Sequence, residues 1–69
     1  MITVQLARAV APGVIPTTPY VYETWIAMAP PRTGEYVKLS STMFPYLFRV
    51  SDVVWMREDI VRVFLEEAK

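Results

Sequence analysis

Apolar and polar residues alternate with a period of two along much of this 69-residue chain. At the start, Ile2, Val4 and Leu6 alternate with Thr3 and Gln5. Successive side chains of a β-strand point to opposite faces, so this pattern predicts a strand with one buried face. Similar runs rich in β-branched and aromatic residues predict four further strands. The five predicted strands cover residues 2–10, 20–29, 35–39, 46–56 and 60–65.

Proline and glycine mark the breaks between these strands. Residues 11–19 hold three prolines and a glycine, which predicts a loop because proline cannot donate to a strand ladder. Pro30-Pro31 ends the second strand, and Gly34 predicts a turn with a positive φ angle. The second strand carries apolar side chains on both faces, so we expect it to be covered on both sides.

The fourth strand changes its pattern near Asp52. Phe48 and Val50 share one face, but Val53 and Val54 are both apolar, which breaks the alternation. A β-bulge beside Asp52 accounts for this shift, because a bulge inserts one extra residue into a strand. We expect the Asp52 carboxylate to accept backbone N–H groups there.

The last segment has two interpretations. Asp59 could cap a helix from Ile60 to Ala68, with Ile60, Val63 and Phe64 forming an apolar stripe. The β-branched residues at the start of the segment favour a strand instead. The chain is therefore predicted to be one domain, residues 1–69, of mostly β class: a small five-stranded barrel or a strongly bent antiparallel sheet. The alternative is an α+β fold with a C-terminal helix from Ile60.

Three segments carry a resemblance to a known group of proteins. They are residues 31–39 (PRTGEYVKL), 48–55 (FRVSDVVW) and 61–65 (VRVFL). Together they resemble small uncharacterised bacterial and phage-type proteins with an SH3-like β-barrel. The resemblance covers residues 31–69 and implies an SH3-like barrel, with little implied about function. The chain departs from the pattern in residues 11–19 and 40–45.

The residue inventory argues against catalysis. The chain has no Cys and no His, which removes disulfides, the commonest metal ligands and the commonest general base. With only two glycines, the chain cannot form a glycine-rich phosphate-binding loop. The spacing of the seven acidic residues singles out no catalytic pair. We therefore expect no enzyme activity, no metal and no cofactor.

Charge and hydropathy narrow the range of partners. Seven basic residues balance seven acidic ones, which disfavours electrostatic binding to the phosphate backbone of a nucleic acid. The alternative function is a small nucleic-acid-binding β-barrel that uses Arg49, Arg57 and Arg62 beside Tyr46 and Trp55. No stretch approaches the ~20 apolar residues of a membrane-spanning helix, and the N-terminus does not read as a signal peptide. We expect a cytoplasmic protein without a membrane partner.

Apolar and aromatic residues exceed what so short a chain can bury. They include nine aromatics, and 54% of the residues are hydrophobic. The surplus predicts a homo-oligomer that also binds an unidentified protein, since exposed aromatics are the usual anchors of protein interfaces. The predicted role is a non-catalytic protein-interaction or assembly module, such as a phage or mobile-element accessory protein. The candidate partner-binding residues are Val14, Ile15, Trp25, Phe44, Tyr46, Trp55 and Phe64.

Overall fold

Five β-strands form one sheet in the computed structural model, which describes residues 1–11, 13–39 and 47–68. The strands are shorter at several ends than the sequence predicted, because the loops at residues 9–20 and 28–35 take more of the chain. Their bounds are β1 Ile2–Arg8, β2 Val21–Ala27, β3 Tyr36–Lys38, β4 Leu47–Trp55 and β5 Ile60–Glu67.

The sheet curls strongly into a half-barrel with the strand order β2-β1-β5-β4-β3. β1 pairs with β2, β4 with β3, and β5 with β4, all antiparallel. β1 and β5 pair in parallel, from Thr3 opposite Ile60 to Arg8 opposite Leu65. The mostly β class and the bent five-stranded sheet are confirmed. The C-terminal strand lies at the centre of the sheet, and β2 and β3 form its two edges.

The inner, concave face of the half-barrel holds the main core. Because strand side chains alternate, every second residue in the middle of β1 and β5 points inward and is buried. Tyr22, Trp25 and Val53 pack against this core from the side. The buried residues of the cluster are Val4, Leu6, Val37, Leu39, Phe48, Val50, Val61, Val63 and Leu65.

The bulge predicted near Asp52 is confirmed. The β4–β5 register shifts between Val50, opposite Leu65, and Asp52, opposite Phe64. The Ser51 hydroxyl donates to the Phe64 carbonyl oxygen at 3.3 Å. The extra residue shifts the alternation of side chains in β4 by one position, so that residues both before and after the bulge reach the core. Gly34 also has the predicted positive φ, 91°.

A second buried group lies on the outer, convex face. Ala7 and Phe64 are directly opposite each other on β1 and β5, and both are buried outside the inner cluster. The loop between β1 and β2 reaches this face, since the Gly13 amide donates a long hydrogen bond of 3.4 Å to Asp52 Oδ2. Asp52 is the β4 neighbour of Phe64. We infer that the proline-rich loop folds back over the outer face and covers Phe64.

Three expectations from the sequence are wrong. The alternative helix from Ile60 is replaced by β5, because its residues complete the centre of the sheet. β2 is not covered on both sides, because it is an edge strand whose outward Ile26 is exposed. Phe64 does not face a partner, because its ring is 1% exposed.

Candidate protein-binding surface

Exposed apolar side chains lie at both ends of the sheet, and the largest ones at one end are three methionines and a tryptophan. β1 and β5 begin at this end, and β2 and β4 finish there, because β1 and β5 are parallel and their outer neighbours are antiparallel. We call this surface the Met-Trp end. It consists of Met1, Met28, Trp55 and Met56.

The register of the strands places the members of the Met-Trp end in two pairs at the same end of the sheet. Ile2 is opposite Ala27, which places Met1 beside Met28. On the other side, the Met56 amide donates to the Ile60 carbonyl oxygen at 2.9 Å. Ile60 is half-buried and bridges the two pairs, since it is the β5 neighbour of Thr3.

The Met-Trp end is open to contact. Met1 is 85% exposed, Met28 is 81% exposed and Trp55 is 52% exposed. Methionine adapts its shape to a partner, and methionine and tryptophan are both enriched in protein interfaces. Trp55 lies opposite the buried Val61, on the inner face, so its ring extends the core to the edge of the molecule.

Val14 and Ile15 are exposed, as the sequence predicted, but they lie elsewhere. They belong to the loop that joins the end of β1 to the start of β2, at the opposite end of these strands from Met1 and Met28. The Val14 amide donates to the Ala11 carbonyl oxygen at 3.1 Å, which closes a tight turn around Gly13. The loop tip is therefore a separate apolar feature.

Trp25 is half-buried on the inner face of β2. Its Nε1 donates to Glu23 Oε2 at 2.8 Å, two residues away on the same face. The ring also lines a groove of ≈ 450 Å³ between the two edge strands, together with Pro30, Tyr36 and Lys38. Trp25 thus contacts the core and a solvent-accessible groove at once.

Two candidate residues from the sequence, Phe44 and Tyr46, lie outside the described residues. The methionines of the Met-Trp end were missed by sequence reasoning. Their signal is their position at or beside the end of a predicted strand, which becomes informative only when the strands' relative directions are known.

Two of the three arginines of the nucleic-acid alternative donate hydrogen bonds to other side chains. Arg49 Nε donates to Glu66 Oε1 at 2.8 Å, and the Arg62 guanidinium donates to Gln5 Oε1 at 3.0 and 3.1 Å. Both arginines alternate with buried residues and so lie on the outer face. Trp55 lies on the inner face, so these cations and this ring do not form one surface.

Tyr22 is a titratable group at the rim of the core. Its ring centroid lies 5.4 Å from those of Tyr20 and Phe48. Burial raises the pKa of the Tyr22 phenol above its usual value; Arg8 opposes this shift, and Glu67 and Tyr20 add to it. The folded protein therefore favours the neutral phenol.

This shift predicts a loss of stability in alkali. Because the folded pKa is raised, the contribution of Tyr22 is complete below the unfolded pKa of about 10 and is lost as the pH rises through the folded pKa. Urea unfolding between about pH 8 and pH 11 should show the free energy of unfolding falling above about pH 10. Tyr22→Phe should reduce this fall, and an unchanged slope in that variant would contradict the assignment.

Among residues 1–11, 13–39 and 47–68, no group of three or more acidic side chains is arranged to hold a metal ion. No helix in this part of the chain is long and apolar enough to cross a membrane. The fold and its exposed end define a small half-barrel with an apolar contact surface. No protein-family model, curated protein or solved structure matches the chain.

Proposed function

We propose that this protein is a non-catalytic assembly module that packs its Met-Trp end against another protein chain. A second copy is the simplest such chain. The resemblance of residues 31–69 to phage-type proteins extends the proposal to a phage or mobile-element accessory protein, in the cytoplasm.

The exposed Met-Trp end carries this proposal. Three of the four methionines and one of the two tryptophans are exposed at the same end of the sheet, although the chain has few fully buried positions. Burying a large apolar side chain contributes about 1.5–3 kcal/mol. Covering this end would therefore contribute a large favourable term, which offsets part of the entropy lost on association.

The total accessible surface supports the same proposal. The protein exposes 4936 Å². A folded monomer of 7.9 kDa is expected to expose about 4,400 Å². The excess of roughly 500 Å² is comparable with the ≈ 800 Å² that each partner buries in a standard interface. An open half-barrel accounts for the excess, because a curled sheet that does not close leaves its rim in solvent.

The arrangement of charges favours a protein partner over nucleic acid. Arg49 and Arg62 have hydrogen-bond partners and lie on the outer face, away from Trp55. Arg57 lies in an exposed turn beside Glu58 and Asp59, which reduce the local positive potential. Binding to phosphates requires clustered cations that are free to pair with them.

The test combines the oligomeric state with capture of partners. We expect Trp55→Glu to weaken association, because it places a charge where an apolar ring would be desolvated. Sedimentation equilibrium measures self-association, and affinity capture from a host lysate measures binding of other proteins. Met56→Glu, at a neighbouring position that is 49% exposed, repeats the test if Trp55→Glu disturbs the fold, and circular dichroism checks the fold of each variant.

Thr17→Glu is the matched control, because Thr17 is exposed in the loop at the other end of the sheet. It adds the same charge and should leave association unchanged. A wild-type protein that stays monomeric at about millimolar concentration, where even weak complexes form, and that captures no protein through the Met-Trp end, would overturn the proposed function.

A further inference from the structure

The outer edge of β2 presents unpaired backbone groups. The Thr3 amide bonds to the Asp59 carbonyl oxygen on the β5 side, and the Arg8 amide bonds to the Tyr20 carbonyl oxygen on the β2 side. The backbone N–H and C=O groups of successive residues in a strand point to alternate sides. Those of Val4 therefore point towards Trp25, its partner on β2. Trp25 therefore bonds to β1, and Thr24 and Ile26 direct their N–H and C=O groups to the free edge.

The two edges of the sheet differ in how well they are protected. β3 is only three residues long and ends in the exposed Lys38, and natural sheets use both short length and lysine to block edge pairing. β2 is seven residues long and contains no Lys, Arg or Pro. Its exposed Ile26 adds an apolar side chain beside the open backbone groups. Such an edge is open to a further strand.

A second copy of β2 fits this edge in an antiparallel arrangement. With a two-fold axis at Trp25, Thr24 of each copy lies opposite Ile26 of the other copy. Each outward-facing pair exchanges two N–H···O bonds, which gives about four bonds in all. Glu23 lies opposite Ala27 of the second copy, so no like charges meet. The two Trp25 rings lie next to each other across the axis, an arrangement that favours an aromatic pair.

We propose that two copies of this protein pair through β2 in this register, which joins the two half-barrels into one continuous sheet. This inference rests on the proposed assembly function, takes a second copy as the partner and adds a contact at the β2 edge to the one at the Met-Trp end. The pairing covers the β2 edge and part of the groove beside Trp25.

Amide hydrogen exchange and sedimentation equilibrium of the full chain test the pairing together. In the monomer the amides of Thr24 and Ile26 have no ladder partner, so their exchange should slow as the protein concentration rises. Thr24→Pro removes an outward N–H from each copy and no bond to β1. We expect it to raise the dimer dissociation constant by about tenfold or more, because two intermolecular hydrogen bonds are lost.

Ile26→Lys is the second variant, because it adds a charge at the edge without altering the backbone. Thr17→Lys is the control and should dimerise like the wild type. Concentration-dependent protection of Thr24 and Ile26 that both variants abolish would support the pairing. Association that survives Thr24→Pro and Ile26→Lys but is lost in Trp55→Glu would overturn the pairing and leave the proposed function standing. A monomer that still captures a protein through its Met-Trp end would do the same.

Discussion

Phe64→Ala should lower the free energy of unfolding by about 3–5 kcal/mol, the range for removing a buried phenylalanine side chain. A domain of this size has a total stability of roughly 3–10 kcal/mol. The variant should therefore lose a large part of its stability, and all of it if the wild type lies at the low end of this range, as measured by urea denaturation at 25 °C. The physical reason is that Phe64 is 1% exposed on the outer face, where alanine would leave a cavity beside Ala7 and under the loop.

Tyr36→Ala is the matched control, because it removes an aromatic ring that is 62% exposed on β3. Surface substitutions of this kind usually change stability by about 0.5 kcal/mol or less. If both variants lose the same stability, the proline-rich loop does not cover Phe64 as inferred. A small effect of Phe64→Ala alone would lead to the same conclusion.

Val63→Pro, in the central strand of the sheet, should abolish folding. β5 has a neighbour on each side, so every backbone N–H of its interior contributes to a ladder. Proline removes one of these donors, and it also removes a fully buried valine from the inner core. We expect a loss of about 1–3 kcal/mol from the ladder carbonyl left unpaired and up to about 1.5–3 kcal/mol from the removed valine side chain, and circular dichroism should show the loss of the β-sheet signal.

The same substitution on the edge strand is the control for Val63→Pro. Thr24→Pro removes an N–H that faces away from β1, so we expect the monomer to keep its fold and most of its stability. Equal destabilisation by the two prolines would contradict the sheet order that places β5 in the centre and β2 at the edge.

The strands, the bulge at Asp52 and the turn at Gly34 could be predicted from the sequence because each depends on local chemistry. These signals are local: they consist of a period of two, a break in that period and a residue without a Cβ, and each involves only a few neighbouring positions. The exposure of Ile15 and Trp55 also followed from the surplus of apolar residues. The partner-binding role of these residues stays a prediction.

The burial of Phe64 and the composition of the Met-Trp end could not be predicted in this way. Phe64 alternates out of phase with the core residues of β5, so its pattern indicates exposure. It is buried because a loop from elsewhere in the chain reaches the outer face, as the contact between Gly13 and Asp52 indicates. Met1 and Met28 lie at the same end of the sheet because of the β1–β2 register, which is a relation between distant residues.

By itself, the sequence determined that this protein is a five-stranded, mostly β domain with more apolar surface than its core can take. Alternation, β-branching and proline act on neighbouring residues, so this much is encoded locally. Only the tertiary structure decided that β5 pairs in parallel with β1, that β2 is the long open edge and that the methionines meet at one end. Strand order and direction arise from pairing between residues that are distant in the chain. The same local pattern is compatible with many different topologies.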